Sequence, residues 1–182
     1  MTRKRPFVDA MQDLENKEAL DAGVQAVRPF IQSLVSNDAV RGALQGDWVG
    51  HAIHPAVVVL PQGLWASAVA LDLLRPGKAT DEATLLTGLG ILSTLPAVLT
   101  GAAEIATANQ KQKRVGVVHA SANTVALTLQ VASWASRRRG KHGRGALLSV
   151  VAMGFMGFAG FLGGHLAVAR KVGSHDPAFG PE

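Results

Sequence analysis

The chain has 182 residues, 48% of them hydrophobic and only 17% charged, with a net charge of +5 and a positive mean hydropathy. Soluble domains carry roughly 25% charged residues, so this composition argues against a soluble domain. The absence of cysteine excludes disulfides, thiolate metal sites and thiol nucleophiles.

The length suits one domain, or a small domain with an appendage. Basic residues lie between apolar blocks and aromatics are scarce outside them, a pattern of membrane topology that speaks against a nucleic-acid partner. The first residues, MTRKRPFVDAMQDLENK, start basic but lead into no apolar core, so they are not a secretory signal. Residues 1–46 read as an amphipathic helical segment. Leu20, Val24, Val27, Ile31 and Leu34 recur at helical spacing, Pro29 interrupts them, and Asn37 or Asp38 caps a second short helix through Val40 and Leu44. Four acidic residues against two basic ones between positions 11 and 35 make this helix a poor ligand for anionic lipid. Packing on the protein's own bundle, or on a partner, is expected instead.

Four apolar blocks follow, over residues 51–74, 83–103, 115–136 and 145–169. Each supplies the roughly 20 residues that a bilayer crossing needs. Only the first contains a charge, Asp72, and none shows the polar stripe of a soluble bundle helix. The connections RPGKATDE, NQKQKR and RRRGKHGR are charged and turn-rich. The expected fold is all-α: a four-helix transmembrane bundle over residues 47–171 behind an N-terminal amphipathic segment, with residues 172–182 as a disordered tail. Pro61 and Pro96 are expected to bend spans one and two. In span four Gly154, Gly157, Gly160 and Gly163 recur every third position, and Gly160 with Gly164 forms G-x-x-x-G. Close helix packing explains such a seam best; room for a flat cofactor is the other explanation.

Four spans put both termini on one side, side X, with side Y opposite. His51 and His54 then open span one, Glu104 ends span two, His119 lies five residues into span three and His165 lies near the end of span four. All five fall at side X, as a ring drawn from every span. Ionisable groups inside a membrane are costly and usually functional, whereas a single histidine near an interface would more often snorkel or bond to a carbonyl. Asn123, one turn after His119, and Thr100, one turn before Glu104, are placed to support the ring. Pro55 fits the first turn of span one, with His54 at its cap. Asp72, alone at side Y, is expected to be structural and to reach water or Arg75. His142 and His175 read as solvated.

These residues resemble a family of four-span bacterial membrane proteins, domain of unknown function 2231. The family pattern G-x-x-x-H-P-x-x-x-x-x-P-x-G-x-W is matched by Gly50, His54, Pro55, Pro61, Gly63 and Trp65. The resemblance continues through Asp72, LPAVLTGAAE, RVGVVHASANTVAL and GGHL, over roughly residues 47–171. The acidic residue after TGAA is often Asp in that family and is Glu104 here. Some members carry a Rieske iron–sulfur domain after the fourth span, which implies redox company; this cysteine-free sequence has no ligands for such a cluster.

Three functions compete. The histidines can ligate haem b for electron transfer, with His119 and His165 as the axial pair and His51 and His54 at the mouth. They can hold a metal ion or relay protons, with His51, His54, His119, His165 and Glu104 as N and O donors. Or the protein is a non-catalytic membrane subunit or scaffold whose histidines satisfy one another, working beside a redox or other membrane partner. No nucleophile elbow, P-loop, Rossmann fingerprint or H-E-x-x-H is present. The location is a bacterial plasma membrane, crossed several times. Seven basic residues near the membrane on side Y against six on side X set no orientation by count; the density of the RRRGKHGR cluster leans side Y to the cytoplasm.

Overall fold

A computed structural model describes residues 5–173; most of the expected tail, with His175, lies outside them. Every regular element among the described residues is helical. Three helices precede the spans: α1 (Pro6–Asn16), α2 (Asp21–Leu34) and α3 (Asp38–Gln45). Asn37 caps α3, its Oδ1 accepting from the amides of Ala39 and Val40 at 3.0 and 3.1 Å. Pro29 does not break α2. The bond it removes would have gone to the carbonyl of Gln25, and both residues are exposed, so water can take over.

Span one is α4 (His54–Val57) and α5 (Val59–Leu74), separated at Val58. Span two is α6 (Thr80–Ile105), which runs through Pro96, and span three is α7 (Gln110–Arg138). Span four is α8 (His142–Gly164), continued by one π-helical turn, His165–Ala169. The four spans measure 21, 26, 29 and 28 residues, and all are apolar enough to cross a membrane. Composition reveals only the hydrocarbon-facing part; the helices continue into charged residues at both ends, which is why they exceed the blocks read from sequence.

The protein is a four-helix bundle. Span three packs most extensively on span four, and span one on span two, while α6 meets α7 and α5 meets α8. Ala68, Ala83, Ala103, Ala126, Ala152 and Ala159 are almost fully buried, so small side chains let the backbones approach. Trp65 is the large residue among them. Its Nε1 donates to Thr87 O at 3.2 Å, and its ring fills the space left by Gly90, where a Cβ would fall 2.3 Å from Nε1. The glycine seam of span four behaves otherwise. A Cβ at Gly154, Gly157, Gly160 or Gly164 would meet nothing within 4 Å. The packing expected of those positions is not made among the described residues, where of the seam only Gly163 faces a neighbour, the ring of His119.

A buried polar knot ties three spans at the Y end. The Arg137 guanidinium, with none of its side chain exposed, donates from Nη1 and Nη2 to the two oxygens of Asp72, at 2.9 and 2.5 Å. Its Nε donates to Ser133 Oγ at 3.1 Å, Ser133 Oγ donates to Gly145 O, and Ser149 Oγ donates to Gln130 Oε1 at 3.0 Å. Asp72 thus pairs with Arg137 of span three, not with Arg75. A bidentate pair needs a guanidinium aimed inward, and Arg137 follows Gln130 and Ser133 on the inner face of α7.

Asp72→Ala is expected to destabilise the fold by about 3–5 kcal/mol, because a buried guanidinium loses its counter-charge. Asp72→Leu combined with Arg137→Leu is expected to recover most of that loss. Thermal unfolding in detergent checks both; equal loss in the single and double variants would contradict the pairing.

Candidate functional site

The residues expected to form one ring at the X end occupy three neighbouring arrangements. In the first, His54 is the opening residue of α4, with Pro55 behind it where no amide donor is needed. The backbone N–H of His54 donates to Glu104 Oε1 at 3.2 Å, so a buried carboxylate receives the start of span one. The His54 ring lies against Gly101, where a Cβ would fall 2.7 Å from Cε1. Its Nδ1 is 3.1 Å from Thr100 Oγ1, and that hydroxyl directs its own proton to Pro96 O at 2.8 Å. Nδ1–H therefore donates to the hydroxyl oxygen, and Nε2 is the ring's lone-pair nitrogen. Around Glu104, Gln45 of α3 donates to Ala103 O at 2.8 Å, and the Ala52 amide donates to Gly173 O at 3.0 Å.

In the second arrangement His119 Nδ1 is 2.8 Å from Ala159 O. A carbonyl only accepts, so Nδ1 carries the proton and Nε2 accepts. Asn123 supplies that bond from Nδ2 at 3.0 Å. Asn123 thus holds the imidazole, the supporting role its spacing suggested.

The third arrangement was not visible in the sequence. His165, in the π-turn, donates from Nε2 to Glu15 Oε1 at 2.7 Å, and Arg170 donates from Nε and Nη2 to both Glu15 oxygens at 2.5 Å. Glu15 belongs to α1 and is almost fully buried. Arg114 of α7 donates to Glu15 O at 3.1 Å and makes a two-point pair with Asp21 of α2, both bonds 2.7 Å, while Gln110 adds a third bond to Asp21. The signal for Glu15 was a carboxylate on the same face of α1 as Met11 and Leu14; the signal for its partners was absent, because they lie 150 residues away.

His51 stays exposed, its Nδ1 on the neighbouring Ala52 O at 3.0 Å, and joins none of these arrangements. His142 is half-buried instead of solvated. It opens α8 beside a cavity of about 280 Å³ lined also by Asp81, Thr84, Arg137, Arg138 and Gly140, and its Nδ1 has no hydrogen-bond partner. Among the described residues no three His, Asp or Glu side chains are gathered so as to hold a metal ion. The single histidine cluster of the sequence reading is thus divided, because Asn123 and Glu15 draw His119 and His165 to different partners.

The family model described as predicted membrane protein (DUF2231) matches residues 50–176. The chain belongs to this family. The match begins at the glycine that precedes His51 and His54 and takes in all four spans, so the family resemblance of the sequence holds. No curated protein and no solved structure matches the chain.

Charge at the X end has a direct consequence for pH. Burial alone would raise the Glu15 carboxyl, but the hydrogen bonds from Arg170 and His165 outweigh it and hold it below the usual carboxylate range. Arg114, aided by Gln110, pushes Asp21 down to about 2. Both carboxylates therefore contribute stability that is present above their ordinary values and is lost as pH falls through the lowered ones. Between about pH 4 and pH 2, α1 and α2 are expected to loosen before the spans, read as faster amide exchange over residues 6–34. Glu15→Gln is expected to loosen α1 already at neutral pH. Exchange over these helices that stays flat down to pH 2 would contradict the assignment.

Proposed function

We propose that this four-span membrane protein acts as a non-catalytic membrane subunit or scaffold of the bacterial plasma membrane. Residues 47–171 form its membrane domain and residues 1–46 a helical cover fastened to the X end. The observation that carries this reading is the occupation of the imidazoles. His119 has both ring nitrogens engaged, with Ala159 O and Asn123, and His165 gives Nε2 to Glu15. These are the two rings best placed by sequence for axial ligation, and each already works as a joint between helices. At His119 both nitrogens are committed inside the protein and no lone pair is left for a metal, while at His165 the Nε2–H bond to Glu15 ties the ring to α1 and leaves Nδ1 as the lone-pair nitrogen.

One observation favours a second reading, haem b or a metal ion bound for electron transfer beside a redox partner. His54 keeps a lone pair at Nε2 when Nδ1–H donates to Thr100 Oγ1. Rotation of Asn123 would free His119 Nε2 as a second donor. His51, exposed at the mouth, would then serve access and not ligation.

An absorption spectrum and metal analysis of the protein purified in mild detergent separate the two. The scaffold reading expects no Soret band and substoichiometric metal. A Soret band, or one metal per chain, that disappears in His54→Ala or His119→Ala would replace it with the cofactor reading. With the termini and side X outside and side Y cytoplasmic, a cysteine placed at Lys141 is expected to react with an impermeant maleimide only after the cells are opened. Reaction in intact cells would invert the orientation.

A further inference from the structure

The N-terminal cover packs on the bundle through α1, α2 and α3, and near the start of α1 stands an aromatic side chain that the described residues leave largely exposed. Glu15, near the end of α1, is held by His165 and Arg170. From there α1 runs inward along spans three and four. Met11 packs with Val115, Leu162 and Leu166, and Phe7 meets Phe161 edge-on with ring centroids 6.4 Å apart. Phe161 precedes Arg170 by nine residues, about 13 Å of helix. The Phe7 level therefore lies below the charged end of the bundle, where the acyl region begins. Phe7 is 76% exposed. Phe161 and Phe158, the latter deeper in the span, are about half exposed, on the surface that a four-span protein turns to lipid. Phe7 continues that surface outward.

A second residue makes the same demand elsewhere on the X end. Trp48 stands in the short 3-10 turn Asp47–Val49, between α3, which packs on α6, and the start of span one six residues later. It is 72% exposed. Tryptophan gains most at the boundary between headgroups and acyl chains, where its ring is apolar and its N–H is met. Arg5, exposed just ahead of Phe7, is long enough to reach back to lipid phosphates.

We propose that Phe7 and Trp48 form a lipid-docking surface, seated in the phospholipid leaflet on side X at the headgroup–acyl boundary. The cover is then held by the bundle through Glu15 and Asp21 and by the membrane through these two aromatics. The acidic character of α1 and α2 agrees with this division: Asp9 and Asp13 are exposed above the aromatic tip, while Glu15 and Asp21 are spent on arginines.

The cysteine-free sequence allows a clean test. Phe7→Cys and Trp48→Cys, each carrying a nitroxide label and reconstituted in phospholipid vesicles, are compared with Phe158→Cys as a lipid-facing reference and Lys17→Cys as an aqueous one. All four positions are exposed, so the label needs no repacking. Accessibility to oxygen together with shielding from a water-soluble nickel chelate, as at Phe158, is the expected result for both. Chelate access equal to that at Lys17 would overturn the proposal. Shielding from oxygen and chelate alike would overturn it too, in favour of a contact with protein, such as a second copy of this chain.

Discussion

Hydrocarbon offers no water to a polar group, and every structural decision in this protein follows from that constraint. A donor or acceptor carried into the membrane must be met by the chain itself. At the Y end the Asp72–Arg137 pair, the serines and the Gln130 oxygen meet it and join spans one, three and four, while Gln130 Nε2 and His142 Nδ1 stay without a partner among the described residues. Small residues make this junction possible. Gly145 lies so close to Arg137 that a Cβ there would fall 2.5 Å from its Cγ, and the buried alanines hold the backbones near enough for short side chains to reach across.

At the X end the same constraint is met by recruiting helices from outside the bundle. The spans end in arginines, and the preceding segment supplies carboxylates: Glu15 for Arg170, Asp21 for Arg114. An acidic helix that would be repelled by anionic lipid along its length thus gains a reason for its charge. The cover and the spans exchange charge at the points where they touch, and only the aromatic tip is left for lipid. Gly23 permits the approach, since a Cβ there would fall 2.9 Å from Val117. The π-turn at His165 belongs to the same arrangement, as it places His165 and Arg170 on one carboxylate. Such turns are frequent where a helix presents side chains for a purpose.

How much of this the sequence disclosed depends on the range of each interaction. The four spans were legible because hydrophobicity is a local, additive property of about 20 residues. The cap at Asn37 and the His119–Asn123 contact were legible because they span two to four residues on one helix. The partners of Glu15 and Asp72 were not, since a carboxylate selects among several arginines according to a three-dimensional packing that spacing does not encode. Arg75 is nearer to Asp72 in sequence, yet it lies beyond the end of α5, while Arg137 lies on an inward face shared with Gln130 and Ser133. Pro29 misled because its cost depends on solvent access, which the sequence does not state.

The glycines of span four show why a motif must be read together with its neighbours. A repeated glycine suits close helix packing or a flat cofactor equally well, and the two demand different surroundings. A macrocycle ligated by His119 and His165 would need the open glycines on the side of those imidazoles. Gly163 lies there, already filled by the His119 ring; a Cβ at Gly154, Gly157, Gly160 or Gly164 would meet none of the described residues within 4 Å. The imidazoles that do rest on glycine, His54 on Gly101 and His119 on Gly163, sit against a helix backbone with no gap between them. Glycine at these two positions serves helix-to-ring contact. It fixes the rings where Thr100 and Asn123 can hold them, and it is this fixation, more than the number of histidines, that gives the X end its character as a joint between spans.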